Sequence, residues 1–242
     1  MENCIVTYKD HTIPFALIRK KVKNINLKVR QDQTVVVSAN NAVPYHAIEK
    51  FVTQKAPWII KHLEYFAAMD RADRAKDYAS GETLYYLGRP YRLQVLPAEK
   101  KARVLFEHDQ IYLIAKDVSD KTTKEKLIKS WYREQAEIIF KQSLARIHPL
   151  VAGYGIAEPS LAIRNMKTRW GSCSWKKGKI TLSTELLKTA EKCIDYVVLH
   201  ELAHFLHHKH DLSFYNFLSA IMPDWKERRV LLQDLAKNII DR

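Results

Sequence analysis

Short apolar runs rich in β-branched residues dominate the start of the chain. CIVTY, IPFALI, INLKVR and TVVVSA follow one another between residues 4 and 39, and polar pairs such as Asp10-His11 separate them. Apolar runs of this length that end at polar turns are typical of strands. The pattern therefore predicts several antiparallel strands in this part of the chain.

The spacing of apolar residues changes after Pro44. Six apolar side chains now recur at three- and four-residue intervals, which predicts an amphipathic helix over about residues 44–69. A second block of strands follows between residues 83 and 115, with the runs TLYYLG, YRLQVL, ARVLFE and QIYLIA. No internal repeat is visible in the letters of the sequence.

Beyond Asp117 the pattern becomes helical. A long helix is predicted over 121–148, with Leu127, Trp131, Ile138 and Ala145 on its apolar side, and we place a domain boundary near residue 118. Short strands are predicted at 161–164, 169–174 and 180–183, and helices begin at Thr184, Asp195 and Pro223. The predicted fold class is α+β. A β-rich N-terminal region with one helix, 1–118, precedes a domain of helices and a small antiparallel sheet, 119–242.

Composition narrows the class of protein. Of the 242 residues, 47% are hydrophobic and 28% are charged, which is the composition of a folded protein. No apolar run approaches the roughly 18 residues of a membrane helix, and the first residues do not form a signal peptide, so we expect a cytoplasmic protein without membrane association. Three cysteines without a C-x-x-C pair indicate neither disulfides nor a cysteine-rich zinc site. The oligomeric state is not indicated.

The chain is strongly basic, with 40 Lys and Arg against 27 Asp and Glu and a formal charge of +13. Such a charge favours association with polyanions such as nucleic acids. No zinc-finger, basic-zipper or aromatic RNA-binding pattern accompanies it. Nucleic-acid association and a merely solvated basic surface are therefore both open.

Five of the ten histidines fall between His200 and His210. His200, Glu201 and His204 form the pattern H-E-x-x-H inside the apolar segment DYVVLHELAHFL. Residues i and i+4 lie one helical turn apart, so both imidazoles can reach one zinc ion. Glu201 lies about 100° round the helix. From there its carboxylate can reach a water on the open side of the metal and act as a general base.

A hydrolytic zinc site needs a third protein ligand. His210 can supply it if the helix ends near His208 and the chain folds back, and we favour it over a downstream carboxylate at Glu227 or over Asp211. His207 and His208 lie too far along a regular helix, His207 by about 10 Å. We assign both to the rim of the site.

Three segments of the C-terminal half carry a family resemblance. KTRWGSCSWKKGKITLSTELL (167–187), DYVVLHELAHFLHHKHDLSFY (195–215) and MPDWKERRVLL (222–232) closely resemble the YgjP-like metal-dependent hydrolases, also described as a metallopeptidase family. The N-terminal half fits that family's layout more loosely. The resemblance implies a zincin-like metallopeptidase domain. It also implies zinc ligands at His200, His204 and His210 and a catalytic Glu201, in agreement with the spacing.

Two positions depart from the family pattern: Asp211 stands in place of Ser, and Tyr215 in place of Trp. We expect Asp211 either to accept a hydrogen bond from an imidazole N–H or to be an ordinary surface residue, and Tyr215 to pack. The spacing H-E-x-x-H-x5-H is also similar to that of metzincin peptidases. Those have glycine in place of His207, so a compact zincin of the minimal gluzincin type is the better match.

The stretch RWGSCS at 169–174 predicts a strand that lines the cleft and can pair with an extended peptide. Gly171 allows a close approach of backbone, and Arg169 either anchors a carboxylate or supports the fold. Cys173 is a weaker candidate nucleophile, because a zinc-bound water already supplies the attacking group. Candidate substrate-binding or supporting residues are Arg169, Trp170, Asp211 and Tyr215.

The predicted function is zinc-dependent hydrolysis of a peptide bond in a peptide or protein, with Glu201 as the base and Arg169 or Tyr215 as a donor to the oxyanion. One alternative keeps the zinc and replaces the peptide bond by another amide. The other is a basic nucleic-acid-associated protein with a structural zinc. That reading requires a fourth protein ligand, such as His207 or Asp211.

Overall fold

The computed structural model describes residues 2–30, 32–74, 76–166 and 168–240, with the backbone alone described for 69–74 and 235–240. The described residues form five α-helices and three mixed sheets, which confirms the predicted α+β class. The chain divides into two compact units, Met1–Ala75 with Ile240–Arg242, and Lys76–Ile239. Within the described part of the chain, no helix combines the length and the apolar character needed to span a bilayer.

The first unit is a four-stranded sheet with one long helix. Strands β1 (Glu2–Tyr8), β2 (His11–Arg19), β3 (Asn26–Val29) and β4 (Val35–Ala39) precede helix α1 (Tyr45–Arg74). The strand order is β1-β2-β4-β3. Its outer pairs are antiparallel as predicted, but β2 and β4 run parallel, because β4 returns between β2 and β3.

The second unit begins with the same arrangement. Strands β5 (Thr83–Tyr86), β6 (Arg89–Pro97), β7 (Arg103–Glu107) and β8 (Gln110–Ala115) lead into helix α2 (Lys121–Ala152). The order β5-β6-β8-β7, with β6 and β8 parallel, repeats that of the first sheet. This repeat of topology was not visible in the sequence. A topology depends on the pattern of apolar positions and turns more than on residue identity.

Helix α2 buries a different stripe from the predicted one. Ile138 and Ala145 are exposed, whereas Trp131 is buried. The inward face packs on β5–β8 to build one core, so the compact units divide after residue 75 and not near 118. Buried residues of α2 are Lys124, Ile128, Trp131, Tyr132, Ala136, Phe140, Ser143, Leu144, Ile147 and Val151.

A three-stranded sheet and three helices complete the second unit. Strands β9 (Ser160–Arg164), β10 (Gly171–Ser174) and β11 (Lys179–Ser183) are ordered β10-β11-β9. The sheet was predicted to be antiparallel and is mixed, because β9 runs parallel to β11. Short 3₁₀ turns lie at Trp175–Lys177 and Thr184–Lys188. Helices α3 (Glu191–Ala203), α4 (Leu212–Ile221) and α5 (Trp225–Ile240) follow.

Polar contacts fix α3 against α2. Helix α3 begins at Glu191 and not at Asp195, because the Asp195 carboxylate is used elsewhere. It accepts hydrogen bonds from the buried Ser143 hydroxyl (2.5 Å) and from Arg146 Nη2 (2.9 Å) on α2. Since the carboxylate lies one and a half helical turns before the H-E-x-x-H motif, these bonds set where that motif stands.

Candidate active site

Helix α3 presents its motif from a buried position. Val198, Leu199, Leu202 and Ala203 are buried in the core of the second unit, and Glu201 is 5% exposed. His200 and His204 are partly buried on the same side of the helix, as the i, i+4 spacing requires. The apolar neighbours of the motif therefore hold its polar side chains at a fixed place in the core.

The chain reverses directly after α3 and does so without glycine. The helix was predicted to end near His208 and ends at Ala203, with His204 still in the right-handed region (φ −69°, ψ −9°). Phe205 N donates to Leu202 O (3.0 Å) and His207 N to Ala203 O (2.9 Å). Positive φ does not occur among the residues from His200 to Asp211, all of which are described. Successive tight turns thus replace the left-handed residue for which a glycine would be needed.

The reversal brings His210 to the two helix histidines. One ring nitrogen from each of His200, His204 and His210 lies within 4.8 Å of the other two. The Nε2 atoms of His200 and His210 are 3.0 Å apart. Two imidazole ligands of one tetrahedral zinc are separated by about 3.3 Å, given bonds of about 2.0–2.1 Å. The three rings converge as the sequence predicts for His200, His204 and His210.

The protonation of His200 and His204 suits metal binding. His204 Nδ1 donates to the carbonyl of His207 (2.9 Å), which leaves its Nε2 unprotonated. Burial lowers the pKa of His200 to about 3, and burial also lowers the pKa of His204. Neutral imidazole is the form that binds a metal ion.

One ring nitrogen of the triad has no hydrogen bond. His200 Nδ1 is buried and makes no hydrogen bond with any described residue, so the free-energy cost of removing it from water is not offset there. Three imidazole nitrogens around one point are a set of donors that divalent first-row metals accept, so the residues present fit a metal centre.

Glu201 is held beside the triad by a close contact with strand β10. A Cβ placed on Gly171 would lie 2.6 Å from Glu201 Oε1 and 2.8 Å from its Cγ. Glycine is needed here to leave room for a carboxylate. The close approach predicted for Gly171 thus involves the Glu201 side chain and not another backbone.

Burial also changes the acidity around Glu201. It raises the pKa of Glu201 to about 8, and the positive charge of Arg169 opposes this shift. It raises the pKa of the Cys173 thiol to about 12, with a further contribution from the Glu201 charge. A thiol with so high a pKa is protonated and a poor nucleophile, and the Cys173 side chain packs against the core of the second unit.

An aromatic cluster forms one wall of the site. Phe214, fully buried on α4, has its ring centroid 4.9, 4.9 and 4.8 Å from those of His200, His204 and His210. Tyr215 stacks between His210 (6.4 Å) and Trp225 (5.3 Å). These contacts restrict the three imidazoles laterally. The ring of Tyr215 is therefore packed within this wall.

The remaining histidines and Asp211 lie around the triad. Asp211 Oδ1 accepts from Ser213 Oγ (2.6 Å) and from Phe214 N (3.2 Å), which caps helix α4. Ser213 Oγ is in turn 3.0 Å from His207 Nδ1.

His208 stacks on Trp175, with ring centroids 4.1 Å apart, and its Nδ1 donates to His204 O (3.0 Å). Both histidines therefore lie on the rim, and Asp211 bonds no imidazole directly.

Sequence reasoning missed helix α4 and, with it, Phe214. The signal was present, because Asp211 precedes an apolar pattern in LSFYNFL as a helix N-cap does.

Trp170 is partly buried beside the core, and its carbonyl accepts from Ser183 N (2.9 Å). Glu227 is exposed on α5 and does not belong to the metal-binding group found among the described residues.

Three convergent imidazoles beside a buried carboxylate are an arrangement typical of the active sites of metal-dependent hydrolases. The family model described as YgjP-like, metallopeptidase domain, matches residues 23–235. The chain therefore belongs to the YgjP-like metallopeptidase family, whose members act on peptides or proteins. No curated protein sequence matches the chain.

Solved structures with partial similarity include two metallopeptidase zymogens. Abylysin of Pyrococcus abyssi is 27% identical over 39% of this chain and 93% of its own, with a TM-score of 0.34. Jannalysin of Methanocaldococcus jannaschii is 23% identical over 40% of this chain and 96% of its own, with the same TM-score of 0.34.

Proposed function

We propose that the protein is a zinc-dependent peptidase in which His200, His204 and His210 hold the ion and Glu201 is the general base. The observation that carries this proposal is the convergence of three imidazoles beside a buried glutamate, in a family of metallopeptidases. When bound, zinc supplies Lewis-acid polarisation of the scissile carbonyl and makes water acidic enough to lose a proton near neutral pH.

Glu201 transfers protons in this proposal. Its carboxylate accepts the proton of the attacking water and returns it to the leaving amine. Burial raises the pKa of Glu201, and the positive charge of a bound zinc ion would lower it again, so that the carboxylate is ionised and can accept a proton. Gly171 keeps this carboxylate in place, and Arg169 or Tyr215 is proposed to donate to the oxyanion.

Strand β10 provides the support for an extended peptide. It is an edge strand, paired with β11 on one side, so its other side offers backbone N–H and C=O groups for a further strand. Gly171, its first residue, contacts Glu201. A peptide on this edge would therefore bring its backbone next to the proposed base, which favours a peptide over a small amide as substrate.

The alternative of a structural zinc lacks a ligand. A structural site has four protein ligands, whereas a catalytic one keeps an open position. Among the described residues, the metal-binding group contains the three histidines and no further His, Cys, Asp or Glu. Asp211 and His207, the candidates for a fourth ligand, are bonded to Ser213.

The test combines metal analysis with cleavage profiling. The zinc content of the purified chain is measured after exposure to excess zinc, and wild type and Glu201→Gln are incubated with a proteome-derived peptide library. We expect one zinc per chain in both proteins and cleavage by the wild type alone. Cleavage by the variant at a rate close to that of the wild type, or a wild type that retains no zinc, would contradict the proposal.

A further inference from the structure

Positive charge is concentrated on the strands and turns beside the proposed cleft. Between Ser160 and Thr184 the chain has six Lys or Arg residues and no Asp or Glu. Lys176 and Lys177 lie in the turn that follows strand β10, and both are exposed. Lys209, also exposed, directly precedes the metal ligand His210. We call Lys176, Lys177 and Lys209 the lysine rim.

A ring stack joins the two parts of the lysine rim. Trp175, next to Lys176, lies face to face with His208, next to Lys209, at 4.1 Å between centroids and 16° between planes. His208 is in turn bonded to the backbone carbonyl of His204. The stack therefore connects the segment of Lys176, at the end of the edge strand β10, with the segment of Lys209. The hydrogen bond of His208 connects both to the backbone of His204.

The lysine rim has no negative partner in the described part of the chain. Ion pairs elsewhere in the second unit use Lys188 with Glu185 (2.5 Å) and Arg146 with Asp195 (2.9 Å). None of the ion pairs between described residues includes Lys176, Lys177 or Lys209. Positive charges without a counter-charge attract groups of opposite charge, so a ligand with carboxylates would be stabilised here.

We propose, on the basis of the proposed peptidase function, that the substrates are acidic peptides recognised by the lysine rim. An extended peptide pairs with the free edge of β10, and its Asp or Glu side chains form ion pairs with Lys176 and Lys177. Lys176 lies five residues beyond Gly171, or roughly 15 Å along the strand and turn. The acidic residues are therefore required about four or five positions from the scissile bond, on one side of it.

Two pairs of peptide pools are compared as substrates of the zinc-loaded full chain, and all four pools are degenerate dodecapeptides. Within each pair, one pool has Glu and the other has Gln at the fourth and fifth positions from the centre. The two pairs differ in the side of the centre on which these positions lie. We expect kcat/KM to be about 10-fold higher for the Glu pool at low ionic strength, on one side only. The ratio should fall as salt is added.

Matched charge variants locate the effect. The double variant K176E/K177E should remove or reverse the preference for Glu, and K176Q/K177Q should weaken it. K20E/K21E makes the same charge change at two exposed lysines of the first unit and should keep the wild-type ratio. Zinc content and circular dichroism show that each variant is folded.

The outcomes separate this inference from the proposed function. Equal cleavage of both pools, or a preference that K20E/K21E abolishes as well, would overturn the inference and leave the peptidase in place. No cleavage of either pool would contradict both. A single-stranded DNA dodecamer is the competing probe for the Glu201→Gln variant. Tighter binding of that DNA than of the Glu peptide, lost in K176E/K177E, would assign the lysine rim to nucleic acid and overturn the inference.

Discussion

The two units begin with the same topology and differ in what is attached to it. Each has a four-stranded sheet in the order 1-2-4-3 with one parallel pair, followed by a long helix. The first unit closes its core with β1–β4 and α1 alone. The second extends its core over α2 to the small sheet and to α3–α5, which carry or pack against the three histidines. The repeated part is thus a scaffold, and the chemistry belongs to the segments added to it.

The glycines follow the same division. All six lie in the second unit, and the first contains none. Two of them allow close approaches: a Cβ on Gly88 would lie 2.9 Å from the backbone of Ala190, just before α3, and one on Gly171 would meet Glu201. The core of the first unit is built without glycine. At Gly88 and Gly171 of the second unit, an added methyl group would come too close to Ala190, just before α3, or to the Glu201 carboxylate.

The largest expected effect is on catalysis and should be confined to the second unit. Replacing Glu201 by Gln removes the base while keeping the shape of the side chain, so kcat should fall about 10²–10⁴-fold with zinc still bound. Glu64→Gln changes an exposed glutamate on α1 and should leave kcat unaltered. Steady-state kinetics on a cleaved peptide from the library measure both. A comparable loss in Glu64→Gln would show that the first unit takes part in the chemistry.

A pair of buried phenylalanines can separate stability from metal binding. Phe214 contacts all three imidazoles, whereas Phe66 is buried in the core of the first unit. Either change to Ala should cost about 3–5 kcal/mol of stability, because each leaves a large cavity. Only Phe214→Ala should also weaken zinc binding, since the Phe214 ring packs against all three imidazoles and restricts their positions. Chemical unfolding and competition with a zinc chelator give the two quantities, and equal zinc affinities would refute the role of Phe214.

Local patterns explain why the motif was predictable from the sequence. The i, i+4 spacing of His200 and His204 within an apolar segment defines one face of a buried helix, and Glu201 follows from it. The strands of the two four-stranded sheets were also predictable, because their short β-branched runs end at polar turns. These signals depend on residues close together in the chain.

Long-range packing accounts for the parts that were missed. The parallel pairs β2–β4 and β6–β8 join strands that are not consecutive, so no local pattern reports them. Asp195 was taken as a helix cap, but it bonds Ser143, 52 residues away in sequence. Ile138 fits the apolar period of α2, yet it is 51% exposed. Each error concerns a partner that only the tertiary structure supplies.

A methyl group on Gly171 should have a smaller but specific effect. The substitution Gly171→Ala must displace the Glu201 carboxylate, which a Cβ would approach to 2.6 Å. A displacement of about 1 Å at a catalytic group can reduce kcat about 10²-fold, so we expect that loss with zinc retained. Gly153→Ala is the matched control, because Gly153 has right-handed φ and ψ and no atom within 4 Å of an added Cβ. Unchanged activity in Gly171→Ala would show that Glu201 tolerates movement.

The smallest expected effect concerns Asp211 and decides between two roles for it. Hydrogen bonds from Ser213 Oγ and Phe214 N lower the pKa of Asp211, as an N-cap of α4 requires. Asn caps a helix about as well as Asp. If capping is the role, Asp211→Ala should lower the melting temperature slightly and Asp211→Asn should not, with zinc affinity and kcat near wild type in both. If Asp211 instead supported His210 by its charge, Asp211→Asn would weaken zinc binding as much as Asp211→Ala. Melting curves and chelator competition on the two variants distinguish these results, and the second would extend the metal site to the N-cap residue of α4.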